Sequence, residues 1–327
     1  MSLLLDAPSF LSSQLPLKRA LDSYAYMLEQ LVSMPACTRP GGLPLDSFVE
    51  LIDRVYCVNH DALRLIAQAA QLQHSADSSS FLTDFFAHRV RLRTLCGQAS
   101  ALWNSNDLQR SPPAAQRHFS SSAHVSEDQS VSMNSDDSGQ IGALHLRAHV
   151  AGCLSDAAAA AGDVCLRSFG VAPGVDIVGD VSASLLHMPD HLFGIFFELF
   201  KNSMRAVCER HEESSAKLPA VCARVYDGSQ EITVSIADQG LGFSAASLPV
   251  LFRFYYSTSS VRVNVGDDAV SIYHSGSRGN AMAGHGYGLP LARLNVRIFG
   301  GDIILAPVQG HGCTAFVYLH KHSNTVF

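Results

Sequence analysis

The sequence predicts an α+β protein, with an N-terminal helical bundle followed by an α/β sandwich domain. From residue 17 to about 103, apolar residues recur at three- and four-residue spacing, the period of amphipathic helices. Beyond residue 139, two-residue alternation appears between further helical stretches, as strands packed under helices require. Residues 104–139 separate the two regimes with an abrupt turn to Ser, Asn, Asp and Pro, the composition of a linker or surface insertion. The expected domains are therefore 1–103, 104–139 and 140–327.

In the helical half, "LKRALDSYAYMLEQLV", "LDSFVELIDRVYCVNHDALRLIAQAAQLQ" and "SSFLTDFFAHRVRLRTLCGQASALW" carry the spacing. The Pro/Gly stretch "PACTRPGGLP" and the polar "HSADSSS" are expected to break it. Long helices with short connections suggest a bundle. In the second half, "VAGCLSDAAAAAGDVCLRSFG" reads as an Ala-rich helix, and a second long helix follows around "FFELFKNSMRAV". "AVCARVYDGSQEITVSIADQG" reads as a hairpin turning at "YDGSQ". "YGLPLARLNVRIFG" is a helix stopped by Gly300 and Gly301, and "DIILAPV" and "TAFVYLH" are the last two strands.

With 47% hydrophobic and 16% charged residues, 327 residues suffice for two ordinary cores. A net charge of −6 and no Lys/Arg cluster argue against a nucleic-acid partner. The longest apolar runs fall short of the ~20 residues a membrane span needs. The eight cysteines are scattered without C-x-x-C spacing, so they read as small core residues of a reducing compartment. The N-terminus, with Lys18 and Arg19 among Ser and Leu, is compatible with a weak organelle-targeting segment.

Chemistry concentrates in three segments. In "FFELFKNSMRAV", Glu198, Asn202 and Arg205 share one helical stripe, while Phe193, Phe197, Phe200, Met204 and Val207 fall largely on another. One face suits a core and the other a ligand. The amide oxygen of Asn202 is a hard donor suited to one octahedral position on a magnesium ion. In "DQGLG", immediately after a strand, Asp238 can accept from an exocyclic amine such as that of adenine, with Gly240 and Gly242 letting backbone approach the base. In "GHGYGLP", Gly284, Gly286 and Gly288 free the backbone just before a helix whose N-terminal N–H groups suit a phosphate, and Pro290 is tolerated in its first turn. The polar stretch 256–283 is long enough to serve as a lid. Each segment alone reads as a solvated helix face, a turn or a flexible loop; three in order are specific.

Their order and spacing resemble the N-box, D-x-G-x-G box and G-x-G-x-G box of the GHKL (Bergerat-type) ATPases, the class of histidine kinases, DNA gyrase, MutL proteins and the ninety-kilodalton heat-shock chaperone. "PDHLFGIFFELFKNSMRA", "YYSTSS", "AGHGYGLPLARLNVRIFGGDI" and "SSFLTDFFAHRVRLRTL" further resemble the mitochondrial 2-oxo-acid dehydrogenase kinases, over about three quarters of the chain. The resemblance implies ATP-dependent phosphorylation of serine on the E1 component of a dehydrogenase complex in the mitochondrial matrix. Pyruvate dehydrogenase is favoured over the branched-chain complex. It also implies a homodimer and a helical half that binds the lipoyl domain of E2.

The same resemblance assigns roles. Glu198 is the general base, Asn202 the Mg²⁺ ligand with Lys201 and Arg205 beside it, and Asp238 the adenine reader. Ser257 and Thr258 contact nucleotide, Gly284, His285, Gly286, Tyr287, Gly288 and Leu289 form the phosphate loop, and Thr314 supports the adenine pocket. Three departures stand out. Where the family carries His-x-Asp, Asn59 occupies the His position and His60 follows it, a displacement of ~100° on a helix; His60 is either a shifted partner of the base or a partly buried helix histidine. The chain ends at "HKHSNTVF" without the family's Asp-Trp tail, and Cys313 directly precedes Thr314 where a glycine is usual. A histidine kinase and a nucleotide-binding regulator without transfer activity are the competing readings.

Overall fold

Two long helices represent the N-terminal half in the computed structural model, which describes residues 15–33, 50–52, 76–110, 139–212, 217–254, 256 and 286–321. Helix α1 is Leu15–Ser33 and α2 is Ala76–Arg110. Both match predicted helical stretches; of the middle stretch, residues 50–52 are helical, while Asn59 and His60 lie outside the described residues. Helix α2 starts inside the polar "HSADSSS" and continues past Trp103 to Arg110, so neither polar segment bounds it where expected. A helix already held by a long apolar stripe extends through residues of modest propensity at little cost. That stripe is Phe81, Leu82, Phe85, Phe86 and Val90, all buried.

The second half is a layered α/β unit. Strands β1 (Gln140–Ile141), β2 (Leu144–His149), β3 (Val175–Gly179) and β4 (Ser184–His187) interleave with α3 (Val150–Phe169). Helix α4 (Pro189–Arg210) leads into the hairpin β5 (Val221–Asp227) and β6 (Glu231–Ala237). After a 3-10 turn at Ala245–Ser247 and a helical turn at Leu248–Leu251 come α5 (Gly288–Ile298), β7 (Asp302–Val308) and β8 (Gly312–His320). A three-stranded sheet has the order β1-β2-β4, and a five-stranded sheet has the order β3-β5-β6-β8-β7. In the larger sheet β3 runs parallel to β5 and the remaining neighbours are antiparallel.

Alternation in β5, β6 and β8 sends Val221, Ala223, Val225, Ile232, Val234, Ile236, Ala315, Val317 and Leu319 into one core with α3, α4 and α5. The helices therefore cover one face of the sheet, as expected; the other face carries Arg224, Tyr226, Ile304 and Tyr318. Ala157, Ala158 and Ala161 let α3 pack against α4, where the free thiols of Cys165 and Cys208 approach to 3.4 Å. Phe196, Phe200, Leu192 and Ile195 of α4 are fully buried, each contributing roughly 1.5–3 kcal/mol. Among the described residues no helix is long and apolar enough to cross a membrane.

Candidate nucleotide site

Helix α4 is the spine of the site. Pro189 opens it and Asp190 lies in its first turn, where a carboxylate complements the helix dipole. Of the stripe expected to face a ligand, Glu198 is 1% exposed, and Lys201 beside the stripe is 3% exposed, while Asn202 and Arg205 are half-buried. Lys201 Nζ donates to Glu198 Oε1 at 2.9 Å and lies 5.5 Å from the centre of the Phe197 ring. One carboxylate oxygen is thus held by a buried ammonium. The other, Oε2, faces the backbone of Gly288, where an added Cβ would fall within 3.0 Å of it. The first residue of α5 must therefore lack a side chain for the Glu198 carboxylate to sit there. Asn202, one turn on, is half-buried, and Arg205 pairs with Glu209 at 3.5 Å.

The "DQGLG" loop folds onto the same helix. Asp238 follows β6, and its Oδ1 accepts from the amides of Gly240 at 2.9 Å and Cys313 at 3.2 Å. The Ser203 hydroxyl of α4 also donates to this carboxylate. Burial raises the Asp238 carboxyl above the ordinary aspartate range, and these three donors oppose the rise. Burial, then the charge of Asp238, pushes the Cys313 thiol up to about 12. Gly240 lies on Ala206, and Arg210 Nη1 donates to the carbonyls of Gln239 at 3.2 Å and Gly240 at 3.0 Å. Gly242 adopts φ +59 beside the carbonyls of Val308 and Gly312. The space these two glycines leave is filled by protein backbone and Ala206, so they seat the loop on α4 and on the β7–β8 turn.

Helix α5 completes the enclosure. Gly286 has φ +77, a left-handed turn that suits glycine, and Tyr287 and Leu289 flank Gly288 at the helix start. Asp302 anchors the far end: although burial raises its carboxyl, hydrogen bonds from Arg293 and then Arg297 hold it well below the usual carboxylate range. Thr314 lies opposite Ala237 in the β6–β8 ladder, so the contact made to Asp238 comes from the neighbouring Cys313 amide.

The structure therefore gathers Glu198, Lys201, Asp238, Gly240, Gly242, Gly286, Tyr287, Gly288 and Leu289 around one helix, with Asn202 and Arg205 on it. His60, Ser257, Thr258, Gly284 and His285, and all of the expected lid beyond Tyr256, lie outside the described residues. Sequence reasoning missed Ser203, Ala206 and Arg210, and marked Cys313 only as a departure beside Thr314. Ser203 lies one residue from Asn202 and Arg210 five from Arg205, but their roles depend on where a loop distant in sequence comes to rest. The donor set fits a magnesium nucleotide: an amide oxygen, a carboxylate supported by backbone N–H groups, and a side-chain-free backbone at a helix N-terminus.

Residues 187–323 match the family model described as histidine kinase-, DNA gyrase B- and HSP90-like ATPase, and residues 1–130 match that of mitochondrial branched-chain alpha-ketoacid dehydrogenase kinase. A mitochondrial pyruvate dehydrogenase (acetyl-transferring) kinase of Arabidopsis thaliana is 29% identical over 287 residues, 84% of this chain and 68% of that protein. Its counterpart in Schizosaccharomyces pombe is 30% identical over 243 residues, 74% of this chain and 50% of that protein. Isozyme 3 of Mus musculus is 28% identical over 299 residues, 86% of this chain and 63% of that protein. The chain thus spans about half to two thirds of the length of the curated relatives it matches.

Proposed function

The chain belongs to the mitochondrial 2-oxo-acid dehydrogenase kinase family, within the GHKL ATPases, and from that premise we propose that it is a protein serine kinase acting on the E1 component of the pyruvate dehydrogenase complex. One observation carries the reading: a buried carboxylate, Glu198, stands against the side-chain-free start of α5, on the helix that also receives the Asp238 loop.

In this reading Asp238 accepts from the exocyclic amine of adenine with a carboxylate that Gly240, Cys313 and Ser203 hold in place. The N–H groups opening α5 take phosphate oxygens. Glu198 accepts the proton of the substrate seryl hydroxyl as its oxygen attacks the γ-phosphorus and the bond to ADP breaks. Lys201 fixes the orientation of that carboxylate. Asn202 is the protein ligand for magnesium, which when bound neutralises charge on the phosphates. Such an ion would arrive chelated by the nucleotide, with Asn202 as the side chain that would hold it.

The remaining assignments follow from the family. The protein works in the mitochondrial matrix, its helical half docks on the lipoyl domain of E2, and two copies pair as a homodimer. The match of residues 1–130 to the branched-chain kinase model favours a second reading, with the branched-chain E1 as substrate. The test is incubation of the full chain with Mg-ATP and each purified E1. Phosphoserine on pyruvate dehydrogenase E1 with a falling dehydrogenase rate is expected; transfer to the branched-chain E1 alone selects the second reading. Label on histidine of the protein itself, or nucleotide binding without transfer, overturns both.

A further inference from the structure

We infer that Phe86, on helix α2 and outside the sandwich domain, is a positioning residue for the kinase site: its ring seats the start of α5, and through it Gly288, against the Glu198 carboxylate. The inference rests on the kinase reading of that site.

Phe86 is fully buried, but it is not part of the main core between the helices and the five-stranded sheet. It belongs to a separate aromatic group. Its ring stacks on Phe254 at 4.4 Å between centroids with an interplanar angle of 20°. It meets Tyr287 edge-on at 5.7 Å and 75°. Phe254 and Tyr287 touch each other at 5.8 Å, closing a three-ring cluster whose members are 0%, 5% and 7% exposed.

Tyr287 is the cap residue of α5, and its carbonyl accepts from Leu291 at 3.0 Å, so its ring position and the first helical turn are linked. The next residue is Gly288, where an added Cβ would collide with Glu198 Oε2. The path from Phe86 to the carboxylate thus runs through two adjacent backbone residues, with close packing at each contact. Packed rings transmit small displacements where their faces meet directly, as Phe86 and Phe254 do. Phe81 provides the contrast. It lies on the same helix, is 7% exposed and stacks on Phe85 at 6.3 Å; Phe85 in turn meets Phe86 edge-on at 5.5 Å, so Phe81 joins the cluster only at one remove and none of its ring contacts is to Phe254 or Tyr287. Both rings support α2, and only Phe86 reaches the site.

The experiment compares Phe86→Leu, Phe86→Tyr and Phe81→Leu in the full chain. Steady-state phosphorylation of E1 and binding of a fluorescent ATP analogue are measured, with thermal melts to identify folded protein. Phe86→Leu should lower kcat roughly tenfold or more and weaken analogue binding about fivefold, since small displacements of positioned groups cost such factors. Phe86→Tyr should restore both, and Phe81→Leu should lower the melting temperature without changing kcat or binding. If Phe86→Leu fails to fold, Phe254→Leu removes the same stack and should give the same kinetic pattern. Equal kinetic losses in the Phe81 and Phe86 variants, or unchanged kcat and binding in folded Phe86→Leu, overturn the inference. Should the unaltered chain bind nucleotide without phosphorylating either E1, the kinase reading falls on its own, and the role of Phe86 is decided by analogue binding alone.

Discussion

The α-carbon of Gly288 and the carboxylate of Glu198 face each other across the gap between α5 and α4, with no room for a methyl group between them. Gly288→Ala should therefore displace Glu198 or the start of α5 while leaving the sheet intact. The expected outcome is a fall in kcat of about 10²-fold, read in E1 phosphorylation assays. Activity like that of the unaltered chain would show that Glu198 has slack the packing denies.

Glu198→Gln keeps the shape of the side chain and removes its basicity. Transfer should fall by about 10²–10⁴-fold, the usual share of a general base, with nucleotide affinity nearly unchanged. The substitution also leaves the buried Lys201 ammonium without its counter-charge, so the melting temperature should drop. Adding Lys201→Met should recover the stability and leave transfer abolished. Recovery of transfer in the double variant would remove Glu198 from the chemistry.

Asp238→Asn can still offer an oxygen to the amides of Gly240 and Cys313, which turns its NH₂ group toward the pocket. A donor then meets the adenine amine. Affinity for ATP should fall at least tenfold by fluorescence titration, while affinity for inosine triphosphate, whose 6-position is an acceptor, should rise relative to ATP. An unchanged ratio of the two would place base recognition elsewhere.

Asn202→Ala removes the amide oxygen without disturbing the buried side of α4. Nucleotide binding with magnesium should weaken toward the value measured in chelator. A magnesium effect of undiminished size in the variant contradicts the assignment.

His187, 1% exposed, packs 4.1 Å from the Phe299 ring, and burial lowers its pKa to about 4. Burial likewise lowers His191 to about 3, with the charges of His187 and Arg93 adding to the effect. The unfolded chain, with histidines near 6.5, binds more protons than the folded one between about pH 3 and 6.5. Stability from these groups is complete above about pH 6.5 and declines as pH falls toward about 3. Urea melts from pH 7 to 4.5 should show that decline, and His187→Phe should make it shallower. An identical slope in the variant would exclude His187 as a source of the acid lability.

Much of this fold was legible because its signals are local. The long helices, the β5–β6 hairpin and the final two strands announce themselves by period, turn residues and Gly stops. Strands β2, β3 and β4 were not singled out: "LHLRAH", "VDIVG" and "SLLH" are short, and their pairing is fixed by partners distant in sequence, including the parallel match of β3 to β5. The site divides in the same way. Glu198, Asn202, Asp238 and the glycines of "GHGYGLP" lie in contiguous motifs whose chemistry can be stated residue by residue. Ser203 and Cys313 acquire their roles only when a helix, a loop and a strand meet at Asp238, and neither residue type signals such a role by itself.

Five positions of α4, from Glu198 through Asn202, Ser203 and Ala206 to Arg210, each meet or present a different part of the site, and all are fixed in phase by one continuous screw. Removing or inserting one residue within that stretch would turn everything downstream by ~100° and uncouple the carboxylate from the loop docked two turns later. Change in this segment is therefore confined to replacement at constant length.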